Sequence, residues 1–333
     1  LGLSWPEVLR QRRGSAWADA GRESGRPARG VLLAFCPGGP SHLETFDPKP
    51  DAPQEVRGEF TTITTALPGI RLGEHLPNLA RRLDRVTLVR SMTTTSPVHE
   101  LAVHRLFGGV TETPAGTGVA ASRLDRPHLG ALVGALRPAP RDVPPSIMLP
   151  TNLTFEGATF PGQNAGFLGP RHDPWHLIGD PASPAFLPGE LALSASLTLE
   201  RVRARDALLA EVESRARLLD RAAAAGSSHS NAPLDEFRRE ALRILASGTC
   251  RRAFDLERED PRLRDRYGRT LMGQGLLMGR RLIEAGVPLV QVNLGESNVW
   301  DTHTDNFSRL KQVLLPPFDQ AVSALIDDLE ARG

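Results

Sequence analysis

A chain of 333 residues, 40% hydrophobic and 24% charged, is large enough to bury a sizeable core as one large α/β domain or two ordinary ones. A formal net charge of +1 and 5% aromatic content argue against capture of nucleic acid or anionic lipid. No apolar run reaches the length that spans a bilayer. The two cysteines settle little: Cys36 ends an apolar run as a small hydrophobe, Cys250 falls in a helical region, and a pair between them stays open.

The chain begins with Leu1 rather than methionine, so its start is expected to lie upstream. Residues 1–9 are weakly apolar, and Ala16-Trp17-Ala18 and Ala18-Asp19-Ala20 further on both have the small-x-small form of a signal cleavage site. An ordinary amphipathic helix fits them as well. Residues 21–30 read as a polar Gly/Arg linker. The first strand is expected at 31–36, ended by Pro37-Gly38-Gly39-Pro40. A helix at 76–83, a strand at 85–89 and a helix at 99–107 follow, the last stopped by Gly108-Gly109. Residues 109–126 are irregular, 129–136 helical, and 146–149 form a strand before Pro150. The Gly-, Pro- and Asn-rich stretch 151–188 reads as a lid or binding segment.

Apolar spacing then predicts helices over 197–224, 234–247 and 269–285. The third ends at Gly286 with Pro288 just beyond, the usual stop signal. An apolar run at 288–294 has the length and Val/Leu content of a buried strand. A last amphipathic helix covers 317–332. Because a crossover helix normally returns to another strand, the chain is expected to be truncated at both ends.

Four groups of residues carry candidate chemistry. The Gly38-Gly39 turn exposes backbone N–H groups that can cradle an anion. There Ser41 is either a nucleophile with His42 near, or the cap of a short helix. In the second group His99, Glu100 and His104 suit metal binding or acid–base work, Glu100 and His104 being four apart on one helical face. A solvated face is the alternative. The third group follows the 288–294 strand: Gly295, Glu296, Ser297 and Asn298, then Asp301 and His303 beside Trp300. In extended chain the carboxylate and imidazole project to one side, past the end of a strand, where α/β folds build their sites. Zinc accepts both ligand types. The alternative is a pair that caps the next helix. The fourth group, 164–175 with His172 and Asp173, is a loop without an assigned role.

The segments GGPSHLETFDPKPDAP, RGEF, LPGIRLGEHLP, LVRSM, GFLGPRHDPW, RYGR and WDTHTDNF occur in this order. Together they resemble the secreted bacterial family called domain of unknown function 1501, over about 31 to 333. The resemblance implies an α/β fold, a three-layer α/β/α sheet like that of alkaline phosphatases and sulfatases, incomplete here at the C-terminus. It further implies that 1–20 is the remnant of a twin-arginine export signal, which would place the protein in the periplasm or cell envelope. Members continue with a strand, a Gly-Glu-Phe-Gly-Arg segment and an Asp-His-Trp segment, absent here.

Within that superfamily a strand followed by Asp and His ligands is a recurring metal unit, and Glu296, Asp301 and His303 match it, with a contracted spacing. The implied cofactor is a divalent metal: zinc, or calcium or magnesium. Gly38, Gly39 and Ser41 would hold an anion, with Ser41 the nucleophile and His99 an acid or base. Two departures stand out. Gly38-Gly39 occupies the place where many phosphatases carry an Asp, which weakens a two-metal mechanism. His99 falls where sulfatases carry their nucleophile, with no hydroxyl or thiol in its place. The expected function is hydrolysis of a small anionic ester or of a sulfated or phosphorylated glycan, the chain as given being inactive. The alternative is a non-catalytic envelope protein that binds a glycan or a partner.

Overall fold

The computed structural model describes residues 28–94, 96–109, 118–136, 142–183, 186 and 248–333, with 244 and scattered residues between 200 and 215. The strands in chain order are β1 (Val31–Phe35), β2 (Thr62–Thr64), β3 (Arg71–Gly73), β4 (Ser146–Leu149), β5 (Thr154–Phe155), β6 (Ala158–Thr159), β7 (Trp175–His176) and β8 (Leu289–Asn293). The helices are α1 (Gln54–Arg57), α2 (Pro77–Ala80), α3 (His99–Gly108), α4 (Leu129–Leu136), α5 (Gly248–Phe254), α6 (Pro261–Tyr267), α7 (Leu271–Glu284), α8 (Asn306–Arg309) and α9 (Leu315–Arg332).

The protein is a mixed α/β structure around a parallel sheet in the order β1-β8-β4-β7. β8 is paired on both sides and all five of its residues are buried, as expected of an inner parallel strand. Phe35 pairs with Asn293 and Leu149 with Val292, so β1, β4 and β8 end nearly level. The loops that follow these three strands therefore leave from one end of the sheet.

Alternation along β8 sends neighbouring side chains to opposite faces. Val292 meets α7, where a Cβ added at Gly279 would lie 2.8 Å from its Cγ2 and 3.0 Å from Leu32 Cδ1. Gln291 points the other way and bonds His128, just before α4. Helices thus cover both faces of the sheet. Behind α7 lies α9, which also packs on α6 and α2. One contiguous core runs through Leu276, Leu277, Val290, Val292, Trp300 and Phe318, and a smaller one joins Val103, Phe107, Leu153 and Phe160.

Local chemistry explains the helix starts. Thr270 Oγ1 accepts from Gly273 N at 3.1 Å and caps α7, and Asp260 caps α6 by accepting from Arg262 N at 2.8 Å. The N-terminus of α2 is capped from a distance: Asp319 on α9 accepts from Asn78 N at 2.9 Å and Leu79 N at 2.8 Å. No described helix is long and apolar enough to cross a membrane.

Several expectations change. Residues 85–89 are not a strand: no ladder partner reaches them among the described residues, although Val86 and Leu88 pack on the core. Arg90 ties the end of that segment to the Phe46 and Arg71 carbonyls instead. The helix expected at 76–83 is one turn, α2, followed by a 3-10 turn at Leu83–Arg85. The stretch 151–188 contains the β5–β6 hairpin, turned at Glu156 and Gly157 with φ of 49° and 83°, and then β7, the fourth strand of the main sheet. Most of 197–224 and 234–247, and all of 1–27, lie outside the described residues.

Candidate functional site

The loop after β8 is fixed at both ends before it presents any chemistry. At its start Thr151 Oγ1 donates to the Gly295 carbonyl at 3.0 Å, and Ser297 Oγ accepts from Thr154 N at 2.7 Å. At its far end Trp300 N donates to the Pro37 carbonyl at 3.0 Å, tying it to the turn that follows β1. The Trp300 ring is buried, its Nε1 donates to the Leu294 carbonyl at 2.8 Å, and Phe318 meets it edge-on with centroids 5.5 Å apart. Burial of an aromatic side chain with its polar group satisfied holds the backbone of the next residue in place. That residue is Asp301.

Gly38 lets the two loops touch. Its φ is 97°, and a Cβ added there would lie 2.6 Å from Asp301 N and 2.8 Å from Asn298 Cα. Only glycine fits both the conformation and the approach. Gly39 also has positive φ, 78°, but faces open space. Asn298 adopts φ 58°, and its side-chain oxygen is buried without a hydrogen-bond partner among the described residues.

On this support three side chains meet. His99 Nε2, at the first residue of α3, lies 2.7 Å from Asp301 Oδ2. His303 Nε2 lies 2.7 Å from the same oxygen. Burial pushes the Asp301 carboxyl up, but the bonds and charge of His99 and His303 outweigh it and hold the group below its ordinary value. The cluster is accessible: the side chains of His99, Asp301 and His303 are 36%, 27% and 80% exposed.

The remaining expected residues fall less tightly together. Gly38 is in the site by contact, whereas Glu296 is exposed and only its carbonyl bonds within the loop, to Val299 N at 3.2 Å. Ser41 is half-buried; its carbonyl accepts from Thr45 Oγ1 at 2.7 Å, and its hydroxyl has no hydrogen-bond partner among the described residues. Of the α3 histidines, His104 is wholly buried and its Nε2 accepts from Arg126 N at 3.0 Å, a packing role. His172 and Asp173 lie apart, Asp173 in a two-pronged pair with Arg123 at 2.7 and 2.8 Å. Of the supports, Ser297 and Trp300 lie within the third candidate group, whereas Thr151, just after β4, carries no motif.

The donor set of two imidazoles and a carboxylate suits a divalent ion such as zinc. Its present spacing is that of hydrogen bonds, closed upon Asp301 Oδ2. Among the described residues no group of three or more His, Cys, Asp or Glu side chains is placed so that it could hold a metal ion. The chemistry of the donors fits a divalent ion; entry of one would displace the protons that now join them.

No curated protein and no solved structure matches this chain. A family model described as "Protein of unknown function (DUF1501)" matches residues 28–333, nearly the whole chain. The chain therefore belongs to the DUF1501 family of proteins of unknown function.

Proposed function

We propose that this chain carries the metal-holding part of an exported, alkaline-phosphatase-like hydrolase acting on a phosphate or sulfate ester. The observation that carries the reading is the meeting of His99 and His303 on one carboxylate oxygen of Asp301, against the glycine turn that closes β1. His99, Asp301 and His303 would hold the ion, which supplies polarisation of an ester oxygen or of water. Glu296 is a further candidate from the same loop. The Gly38–Ser41 turn faces the same end of the sheet and offers an N–H at Ser41 and a hydroxyl to an anionic oxygen. With its hydroxyl unengaged among the described residues, Ser41 is the residue available to attack or to orient an ester.

A second reading, a non-catalytic envelope protein that binds a glycan or a partner, is favoured by the lack, among the described residues, of a group placed to hold a metal ion and of any bond between Ser41 and the His-Asp-His group. A panel of generic phosphate and sulfate esters, offered to the full-length gene product with added zinc, separates the two. Turnover that falls at least about a hundredfold in Asp301→Ala is expected for the enzyme. Zinc uptake with no turnover on any ester would overturn it in favour of the binder.

A further inference from the structure

The inner face of β8 carries two polar residues in what the sequence presents as an apolar run. Gln291 and Asn293 are both wholly buried and, two apart in a strand, lie on one face. Buried amides of this kind survive only if their donors and acceptors are matched. They are matched here by a chain whose direction can be worked out from one end.

Gly130 N lies 2.8 Å from His128 Nδ1. A backbone N–H can only donate, so Nδ1 accepts and the ring proton sits on Nε2. His128 Nε2 therefore donates to Gln291 Oε1 at 2.9 Å. With its oxygen committed, Gln291 turns its NH2 to Asn293 Oδ1 at 2.8 Å, and Asn293 Nδ2 donates to the Thr151 carbonyl at 2.6 Å. Thr151 in turn donates its hydroxyl to the Gly295 carbonyl. Each step admits one orientation, because the carbonyl at the end can only accept. The neutral ring this requires is consistent with burial, which pushes His128 down to about 4.

We propose that His128, Gln291 and Asn293 are positioning residues: a one-way hydrogen-bond chain from the start of α4 to Thr151 that sets the Gly295 end of the loop bearing Asp301. The chain runs beneath three elements of the fold, α4, β8 and the segment after β4, and ends on the first residue of the functional loop. Of the loop's other supports, Leu294 N donates to the Phe35 carbonyl at 2.7 Å just before Gly295, and Ser297 and Trp300 hold the loop further along, so the chain sets the Gly295 carbonyl itself. The inference rests on the site reading for its functional meaning, but not for its geometry.

Gln291→Glu is the informative variant. It keeps the shape and still accepts from His128. Ionised, its second oxygen faces Asn293, whose amide must rotate and bring its own oxygen against the Thr151 carbonyl. Protonated, as burial favours, it donates to Asn293 Oδ1 and keeps the chain, so the variant's effect appears as pH rises and the carboxyl ionises. Thr151→Val, at a half-buried position, removes only the link to Gly295 and guards against a Gln291→Glu chain that fails to fold. Two readouts are taken on the whole chain: zinc affinity by titration with the metal alone, and the nuclear magnetic resonance signal of the Trp300 indole N–H, which needs no metal. Both variants are expected to shift the indole signal and to weaken zinc binding at least about tenfold, the lower end for loss of a support behind metal ligands. A folded Thr151→Val protein with an unmoved indole signal and unaltered zinc affinity, or a folded Gln291→Glu protein whose indole signal stays that of the unsubstituted chain from about pH 6 to about pH 9, overturns the proposal. Should the unsubstituted protein take up no zinc, the metal reading fails while the indole signal still decides for or against the chain.

Discussion

Gly38→Ala is expected to abolish zinc uptake and to lower the melting temperature by several degrees, whereas Gly39→Ala leaves zinc uptake in place. Both positions lie at positive φ, 97° and 78°. Each therefore meets the backbone cost of placing an L side chain there, about 1–2 kcal/mol. The surroundings separate them. A methyl at Gly39 meets nothing within 4 Å, while one at Gly38 would press on Asp301 N at 2.6 Å and on Asn298 Cα at 2.8 Å. Backbone atoms cannot swing aside as a flexible side chain does, so the loop must move, and Asp301 moves with it. Thermal melts and zinc titrations of the two variants check this. Equal behaviour of the pair would mean that contact between the loops does not position Asp301.

Arg280→Met is expected to destabilise the fold by about 3–5 kcal/mol at neutral pH, the cost of removing one partner from a buried charge group. The Arg280 side chain on α7 is 1% exposed and reaches Glu259 at 3.1 Å, Glu284 at 2.6 Å and Asp328 at 3.0 Å. Arg281 also pairs with Glu259, while Arg332 and Tyr267 bond Asp328 at 2.7 and 2.9 Å. The group joins α6, α7, α9 and the turn before α6. Burial pushes the Glu259 and Asp328 carboxyls up, but the hydrogen bonds and charge of their arginine partners, Arg280 among them, outweigh it and hold both below their ordinary values.

Carboxyls held low in the fold stabilise it above their unfolded values, about 4. That contribution is lost as pH falls through the lower, folded values. Without Arg280, Glu259 loses its main cation and Asp328 loses one of its two, beside Arg332, so both are easier to protonate. The gap between unsubstituted protein and Arg280→Met should therefore narrow as pH drops from 7 towards about 4 and below. Urea unfolding at several pH values measures it, and a gap that widened in acid would contradict the assignment.

Which of these features were readable in the residues follows from how local their causes are. The strands at 146–149 and 289–293 stand out because inner parallel strands are largely apolar runs, and 31–35 stands out by the same composition although β1 lies at the edge of the sheet. Asp301 and His303 were visible as a pair just past such a run. The bond of Asp301 to His99, 202 residues earlier in the chain, was not, because nothing in spacing sets where the start of α3 comes to rest. β7 escaped because two residues, Trp175 and His176, carry no period, and only Met148 and Ile147 opposite them make a strand there. The expected strand at 85–89 failed for the converse reason: alternating Val86 and Leu88 bury themselves without a neighbouring ladder. Arg280 and Asp328 carry no signal in the helical spacing, since their charges meet only once α7 and α9 are side by side. Gln291 and Asn293 were the one missed signal within reach, two amides inside a run otherwise fit for burial.

Equilibrium dialysis of the chain against zinc, followed by metal analysis, bears most directly on the meeting of His99, Asp301 and His303. Stoichiometric zinc in the unsubstituted protein, lost in His99→Ala, Asp301→Ala and His303→Ala with the far-ultraviolet circular dichroism unchanged, is the predicted result. Zinc retained by all three variants, or none bound by the folded unsubstituted chain, would contradict it.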